Sequence, residues 1–217
     1  MSNHKYYIGQ NITAVRDDYT ITGEIAECSY SYSKTTYIVA TSWLNKVPVY
    51  ETDIIYVDDK PVFRFALRED IKDDKRFLPV RATSGSAGWD VSCAFEDHQD
   101  LVVQPGQYLK IPLGIRCIMP PGWWLSVKPR SSSFVKKKLH ALYGTADSDF
   151  RNFLYFCAKS DNEEPMTLNF GERIGQLIPV KMQEMIVGEV DDDVFDDYVN
   201  QENNNTRKYG GFGSTSK

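Results

Sequence analysis

The sequence predicts an all-β protein. Short runs rich in β-branched and aromatic residues recur at residues 37–40, 54–57, 101–103, 108–111 and 115–118, and such runs are typical of β-strands. Turn signals that contain glycine or proline separate them, at residues 104–107, 120–122 and 169–172,. No long stretch has the periodicity of an amphipathic helix. Many short strands at this spacing favour a barrel or a jelly-roll sandwich.

Residues 1–60 predict a small β domain of their own. The expected elements are a strand containing Val15, a turn containing Gly23, a strand at 37–40 and a strand region at 47–57. This order resembles a small SH3-like barrel. The segment 57–61 is interpreted as the joint to a second domain at 61–200. Because aspartate and glutamate outnumber lysine and arginine in residues 1–60, their charge does not favour a nucleic-acid-binding module.

The C-terminal part of the chain has a different composition. Residues 189–197 are acidic and residues 201–206 are polar and rich in asparagine. Neither segment can bury much apolar area, so both are predicted to be mobile. Residues 201–217, with their glycine cluster, are predicted to be a flexible lid that becomes ordered on a ligand; the alternative is a disordered terminus.

Composition excludes several classes of protein. The chain has 217 residues, 41% of them hydrophobic, which is ordinary for a globular protein. Its net charge of -5 argues against nucleic acid as the main partner. No apolar run is long enough for a membrane span or a signal peptide, so no membrane partner is expected. The four cysteines form no CxxC pair, which favours reduced thiols and a cytoplasmic, intracellular location, in the host cell if the protein is viral.

Five short motifs follow one another along residues 62–217, and together they resemble the motifs of the trimeric all-β dUTPase family. In chain order, with the family pattern in parentheses, they are SAGWD at 86–90 (AGYD), PRSS at 129–132 (PRSG), GTADSDF at 144–150 (GVIDSDY), GERIGQLI at 171–178 (GDRIAQLI), and Arg207 with GGFGST at 210–215 (RGxGGFGST). Each motif alone is weakly specific, whereas five in the same order are strongly specific. Residues 1–60 lie outside the resemblance.

The resemblance implies a fold and an activity. The implied fold is a distorted β-barrel or jelly roll of the β-clip type. The implied activity is hydrolysis of dUTP to dUMP and pyrophosphate, a step of nucleotide metabolism and dUMP biosynthesis, with Mg²⁺ as cofactor. The implied assembly is a homotrimer with shared active sites. The partner of residues 1–60 is unknown.

The third motif carries the residues that the resemblance implies at the reacting centre. Asp147 takes the place of the family's general base, which accepts a proton from the water that attacks the α-phosphorus. The alternative is an aspartate that caps its own turn. Phe150 takes the place of the tyrosine whose ring packs on deoxyribose and excludes a 2′-hydroxyl group. The alternative is an ordinary inward-facing aromatic residue.

The second and fourth motifs supply the implied phosphate contacts, from Arg130, Ser131, Ser132 and Gln176. The guanidinium group of arginine matches phosphate oxygens in geometry and charge. Gln176 lies in an apolar run, where a polar side chain needs a partner, and that partner is either the ligand or backbone. In the first motif, Asp90 is expected to help hold the metal through water; the alternative is an ordinary strand-end carboxylate.

The fifth motif supplies the lid. Arg207 is expected near the γ-phosphate, and Phe212 is expected to stack on the base. Gly211 and Gly213, with Ser214 and Thr215, are expected to turn backbone N–H groups towards the phosphates.

Four residues depart from the family pattern: Ser132 and Asn152 replace glycines, Ala146 replaces a larger aliphatic residue, and Phe150 replaces tyrosine. The hairpin at 150–159 is expected to recognise uracil through its backbone, so Asn152 bears on base specificity.

Three alternatives remain open. One is a dUTPase-like nucleotide-binding regulator that signals through the N-terminal module. Another is a hydrolase of a modified deoxypyrimidine triphosphate. The third, a dCTP deaminase, is disfavoured because the strand at 153–157 contains no acidic residue.

Overall fold

Strands dominate the computed structural model, which describes residues 5–16, 19–31, 34–41 and 46–201. In chain order the strands are β1 Asn11–Arg16, β2 Tyr19–Ser31, β3 Lys34–Ala40, β4 Lys46–Tyr50, β5 Ile54–Val57, β6 Lys60–Pro61, β7 Arg64–Leu67, β8 Trp89–Ser92, β9 Leu101–Val103, β10 Tyr108–Pro112, β11 Ile115–Ile118, β12 Trp123–Pro129, β13 Leu139–Leu142, β14 Gly144–Ala146, β15 Tyr155–Ser160, β16 Met166–Leu168 and β17 Arg173–Lys181. The helices are α1 Ser131–Val135 and α2 Asp192–Gln201.

The N-terminal strands form one antiparallel sheet in the order β4-β3-β2-β1-β5-β6. Strands β1 to β4 form a meander, and a short 3-10 turn at Glu51–Asp53 leads into β5, which returns to pair with β1. Buried side chains such as Ile25, Tyr37 and Ile54 give this sheet its own apolar cluster. The SH3-like description of this sheet and the domain boundary at residue 60 stay predictions.

Gly23 corrects one detail of the sequence analysis. It was expected in a turn, but it lies inside β2, opposite Ile12 of β1. A Cβ atom at this position would overlap with the carbonyl oxygen of Ala40 on β3. Glycine is therefore required here for close approach of two strands.

The remaining strands surround the larger apolar core. They form a four-stranded sheet in the order β14-β12-β17-β8, a three-stranded sheet β10-β15-β13, and the pairs β11-β7 and β16-β9. Fully buried side chains such as Ile115, Leu125 and Leu177 line the interior. The strands predicted at 54–57, 101–103 and 115–118 have the predicted bounds.

Three turns between these strands depend on a glycine with positive φ, at Gly106, Gly122 and Gly171. They coincide with the three turn signals in the sequence. Glycine adopts this backbone conformation without the steric cost that a Cβ atom imposes.

The N-terminal sheet and the barrel contact each other through aromatic side chains. The indole Nε1–H of Trp123 donates a hydrogen bond of 2.9 Å to the hydroxyl group of Tyr56. On the barrel side of this contact, the ring of Phe63 packs against both Trp123 and Trp89, at centroid distances of 5.8 Å and 5.4 Å. Both modules belong to one compact unit that spans Met1–Met182.

The second compact unit begins at Gln183 and contains α2. Residues 192–197, predicted to belong to a mobile acidic segment, are helical instead. Asp192 and Asp193 lie in the first turn of α2, where negative charge is favourable to the helix dipole. Within the described residues, no helix has the length and apolar character required to cross a membrane.

All four cysteines lie in the described ranges, and none forms a disulfide. Burial raises the pKa of Cys93 and of Cys117 to about 12. Both thiols therefore stay protonated at neutral pH and pack as small apolar groups.

Candidate active site

One face of the four-stranded sheet carries a row of polar side chains. In the register of the sheet, Lys128 of β12 lies opposite Gln176 of β17, and Gln176 lies opposite Asp90 of β8. Directly paired residues of an antiparallel sheet present their side chains on the same face. The adjacent residues Val91, Val127 and Leu177 are buried on the other face. The row therefore lies on the face away from the core.

Asp90 forms ion pairs with two arginines at one end of this row. Its Oδ1 atom lies 3.2 Å from Nε of Arg130, and its Oδ2 atom lies 3.5 Å from Nη1 of Arg173. The Asp90 side chain is only 11% exposed, whereas Arg130 and Arg173 are 34% and 47% exposed. One nearly buried carboxylate thus fixes two guanidinium groups that remain open to a ligand.

Local backbone structure places Arg130 and its neighbours. Arg130 continues β12 in extended conformation and is the N-cap of α1, so Ser131 and Ser132 begin the helix. Below them, the buried Ser133 hydroxyl donates a hydrogen bond to the carbonyl oxygen of Ile174. This bond ties α1 to β17 and holds the second and fourth motifs together.

Gln176 has a backbone partner. Its Nε2 atom donates a hydrogen bond of 3.0 Å to the carbonyl oxygen of Pro129. An amide nitrogen carries two hydrogens, so this bond leaves one donor for a ligand. The side chain therefore couples β17 to the end of β12 whether or not it also binds phosphate.

Two glycines of the motifs are explained by close packing. A Cβ atom on Gly88 would lie 2.8 Å from the carbonyl oxygen of Leu177, and one on Gly175 would lie 2.8 Å from the ring of Phe156. Real Cβ atoms do not approach so closely, so a larger residue would push β8 or β17 away. These glycines let Asp90 and Gln176 stand on neighbouring strands.

Asp147 lies in an exposed turn that follows β14. The amide of Phe150 donates a 3.0 Å hydrogen bond to the carbonyl oxygen of Asp147 and closes the turn. Arg151 adds a 2.7 Å hydrogen bond from Nη1 to the carbonyl oxygen of Ser148. Phe150 is 40% exposed, so its ring is available to a ligand rather than packed in the core.

The hairpin expected at 150–159 is not formed, because residues 151–154 are irregular and β15 pairs with β10 and β13 instead. Asn152 lies in this irregular segment without left-handed backbone. It is not among the non-glycine residues with positive φ in the described part of the chain. Instead, its Oδ1 atom accepts a 2.7 Å hydrogen bond from the amide of Phe153. The loss of the family glycine is thus accommodated by a local side-chain bond.

The base candidate and the phosphate candidates lie far apart in one chain. Ala146 pairs with Leu125 near one end of β12, whereas Pro129 pairs with Gly175 at the other. In this register Asp147 lies beside Trp124, and Trp124 is six residues before Arg130 in the sequence. At ~3.3 Å per residue, their backbones are separated by roughly 20 Å. A single chain therefore does not bring Asp147 and Arg130 to one phosphate.

The described residues do not form a resident Mg²⁺ site. No group of three or more acidic, histidine or cysteine side chains is placed to hold a metal within the described ranges. Both oxygens of Asp90 face guanidinium groups, whose positive charge opposes a cation there. This donor set fits a metal ion carried by a triphosphate, not one held by protein side chains.

The sequence analysis missed two residues and one contact of this region, and it included residues that lie outside the described ranges. Lys128, Arg151 and the contact of Arg173 with Asp90 were not predicted as site features; for Lys128, a cation two positions before Arg130 on a strand was the available signal. The predicted lid residues lie outside the described ranges: Arg207, Gly211, Phe212, Gly213, Ser214 and Thr215.

The family follows from comparison with known proteins. A model of the dUTPase family matches residues 74–216, which is more than half of the chain. The chain belongs to the dUTPase family. It is therefore assigned to the dUTP diphosphatase class of enzymes, and the all-β fold expected from the resemblance is confirmed. The N-terminal sheet of this dUTPase lies outside the matched residues.

Curated relatives agree with this family. The deoxyuridine 5′-triphosphate nucleotidohydrolase of Bartonella quintana is 33% identical over 140 residues, which is 64% of this chain and 76% of the relative. The enzyme of the same name from Rhizobium rhizogenes is 31% identical over 140 residues, 64% of this chain and 84% of the relative.

Solved structures show the same fold. The dUTPase of Streptococcus mutans superimposes with a TM-score of 0.50 at 26% identity, over 57% of this chain and 98% of that one. A mutant dUTPase from phage phi11 of S. aureus has a TM-score of 0.52 at 17% identity, over 60% of this chain and 97% of that one. The phage structure is described as revealing the coordination of a structural Mg(II) ion.

Proposed function

We propose that this chain hydrolyses dUTP to dUMP and pyrophosphate, with Asp147 as the general base. The Asp147 carboxylate takes a proton from a water molecule whose oxygen attacks the α-phosphorus. The bond between the α-phosphorus and the bridging oxygen breaks, and pyrophosphate leaves. A positioned base of this kind contributes about 10²–10⁴ in rate. Support comes from the family match over residues 74–216 and the exposed position of Asp147.

The phosphates bind at the face that carries Arg130, Ser131, Ser132 and Gln176. Asp90 acts in this proposal by orienting Arg130 and Arg173. Guanidinium groups held by a carboxylate need no reorganisation when a phosphate arrives, so more of the binding energy is retained. The substrate is the Mg²⁺ complex of dUTP, in which phosphate oxygens hold most of the metal. Asp90 contacts the metal through water at most.

The proposed assembly rests on the separation of roughly 20 Å between Asp147 and Arg130, measured along β12. A phosphorus atom under attack must lie within a few ångströms of both the water and the cations. We therefore infer a closed homotrimer in which Asp147 and Phe150 of one copy meet Arg130 of another. Cyclic assembly allows each copy to contribute both halves, each to a different site.

Phe150 sets the preference for deoxyribose in this proposal. Its ring is exposed at the edge of the turn that carries Asp147, and a flat ring against the sugar leaves no room for a 2′-hydroxyl group. The segment that leads from Phe150 into β15 recognises uracil through backbone groups. Arg207 and Phe212 complete the site as part of a lid over the phosphates and the base.

The first test is a substrate panel with matched variants. Purified protein is incubated with Mg²⁺ and dUTP, dCTP, dTTP or UTP, and monophosphate and pyrophosphate are quantified. We expect rapid formation of dUMP and little turnover of UTP. Asp147→Asn should lower kcat by about 10²–10⁴, whereas Asp149→Asn, a carboxylate in the same turn, should leave kcat close to wild type.

Two outcomes of the panel would change the assignment. Turnover of another base in preference to uracil would keep the hydrolytic chemistry and replace the substrate. Absence of turnover by the intact protein with every nucleotide would refute hydrolysis.

A further inference from the structure

The polar row contains a lysine that the five motifs do not include. Lys128 lies on β12 directly opposite Gln176 and two residues before Arg130. Because strand residues two apart present the same face, Lys128 and Arg130 lie on the same side of the sheet. Lys128 is half-buried and lies next to Gln176, at the end of the row on the β14 side of the sheet.

The charge of Lys128 is not neutralised by a carboxylate among the described residues. Its Nζ atom lies over the ring of Tyr143, 4.1 Å from the ring centroid, and no ion pair with Asp or Glu within the described ranges includes it. By contrast, the nearby Lys137 pairs with Glu172 at 2.7 Å. Tyr143 is 78% exposed, so the aromatic partner holds the ammonium group at the surface.

An ammonium group on an exposed aromatic ring is available to a stronger partner. Charge-assisted hydrogen bonds to phosphate are stronger than exposed cation–π contacts. The lysine side chain has four rotatable bonds, so the ammonium group can leave the ring without any change in the strand. Lys128, Arg130 and Arg173 give this region three cations, and Asp90 pairs with two of them, Arg130 and Arg173, a balance that favours a polyanion.

We propose that Lys128 is a further phosphate-binding residue of this site, whose ammonium group moves from the Tyr143 ring to the triphosphate when nucleotide binds. The inference rests on the proposed function, because it takes the face with Arg130 as the phosphate site. It adds a third cation to the two that Asp90 holds. The third cation differs from them in being mobile rather than fixed by an ion pair.

The test compares ligands that differ only in their phosphates. Binding of dUMP and of a non-hydrolysable α,β-imido analogue of dUTP, with Mg²⁺, is measured by titration calorimetry for the wild type and Lys128→Met. We expect the variant to bind the triphosphate analogue about tenfold more weakly and dUMP as the wild type does. Lys128→Arg should retain most of the affinity for the analogue, because it keeps the positive charge.

The control is Lys110→Met. Lys110 also lies over an aromatic ring, that of Tyr155 at 4.2 Å, but on β10, outside the four-stranded sheet. Lys110→Met should bind both dUMP and the triphosphate analogue with wild-type affinity. If Lys128→Met unfolds at a lower temperature than the wild type, binding of both ligands is measured with Lys128→Gln instead. The salt dependence of analogue binding is also compared between this variant and the wild type.

The outcomes separate the two proposals. If the wild type hydrolyses dUTP and Lys128→Met binds the analogue with unchanged affinity, only the role of Lys128 is refuted and the proposed function stands. Equal weakening of dUMP and of the analogue would also refute the role of Lys128, because it would indicate a general disturbance of the site. Failure of the wild type to bind the analogue or to hydrolyse dUTP would refute the proposed function itself.

Discussion

At the scale of single residues, the site depends on groups that sequence motifs name but do not explain. Asp90 was expected near the metal because of its motif, yet its two oxygens face Arg130 and Arg173. The motif could indicate that a carboxylate is needed, but the identity of its partners depends on how β8 and β17 pair. Gly88, in the same motif, has no chemistry of its own and is required by geometry.

Gly88→Ala should disturb the site through the backbone. The new Cβ atom would lie 2.8 Å from the carbonyl oxygen of Leu177, so β8 must move away from β17 and carry Asp90 with it. Overpacking of this kind costs about 1–3 kcal/mol in the free energy of unfolding. Chemical denaturation should report this loss, and the KM for dUTP should rise.

The matched control is Gly85→Ala, in the same loop, where a Cβ atom would meet nothing within 4 Å. Wild-type stability and KM are expected for this variant. If Gly88→Ala were as stable and active as Gly85→Ala, close packing at Gly88 would not be the reason for the glycine.

At the scale of elements, a cluster beside the second 3-10 turn, Glu69–Ile71, links stability to pH. Arg68 donates two hydrogen bonds to Asp70, of 2.5 Å and 2.7 Å, and His98 Nε2 lies 2.7 Å from Asp70 Oδ2. The Arg68 guanidinium, and secondarily His98, hold the pKa of Asp70 well below its usual range. The same arginine also donates to the carbonyl oxygen of Ala94, so the pair anchors this turn to the barrel.

The depressed pKa of Asp70 makes a prediction about acid unfolding. Its contribution to stability is complete above the ordinary carboxyl pKa of about 4 and is lost as pH falls below that value towards the lower pKa of the folded state. Asp70→Asn should therefore be less stable than the wild type at pH 7, by on the order of 1 kcal/mol for a partly exposed pair.

Thermal unfolding between pH 7 and pH 2 measures this effect. The difference between Asp70→Asn and the wild type should shrink as the pH falls. Asp73→Asn, at an exposed carboxylate on the same surface, serves as the control with a small difference at every pH. A difference for Asp70→Asn that stays constant with pH would contradict the assignment.

Local sequence predicted some elements well and others poorly, for identifiable reasons. Strands β5, β9 and β11 were predicted with the observed bounds because turn residues limit each short β-branched run. Gly23 was assigned to a turn because its role depends on Ala40, a residue distant in sequence. Helix α2 was missed because its many aspartates suggested disorder, although two of them suit the first turn of a helix,.

The site was predicted to a similar extent. The motifs supplied Asp147, Arg130 and Gln176 as candidates, because the chemistry proposed for them depends on residue type. Lys128 and Arg151 follow from strand register and from turn closure, neither of which a linear motif contains. The separation of Asp147 from Arg130 likewise becomes visible only when the register of β14 and of β17 against β12 is known.

At the scale of the whole molecule, a shared site predicts complementation. Asp147→Asn and Arg130→Met should each be nearly inactive alone, because every site in such an assembly lacks one essential group. When the two variants are mixed, unfolded and refolded together, a site that takes Asp147 from one copy and Arg130 from another recovers both. For random assembly at equal amounts, about a quarter of the sites should be restored.

Turnover of dUTP by the mixture measures this recovery, with each variant refolded alone as the control. A mixture no more active than its components would mean that Asp147 and Arg130 act within one chain, and would contradict the separation along β12. The size of the assembly is checked independently by light scattering.

The length of β12 also bears on how activity depends on protein concentration. In the shared arrangement proposed above, a single chain carries two half-sites and no complete one, so folding alone yields no catalyst. On dilution below the dissociation constant of the assembly, turnover per chain should fall. Total activity would then rise more than in proportion to the concentration of protein. The separation along a seven-residue strand would thus set a minimum concentration of the chain for nucleotide hydrolysis.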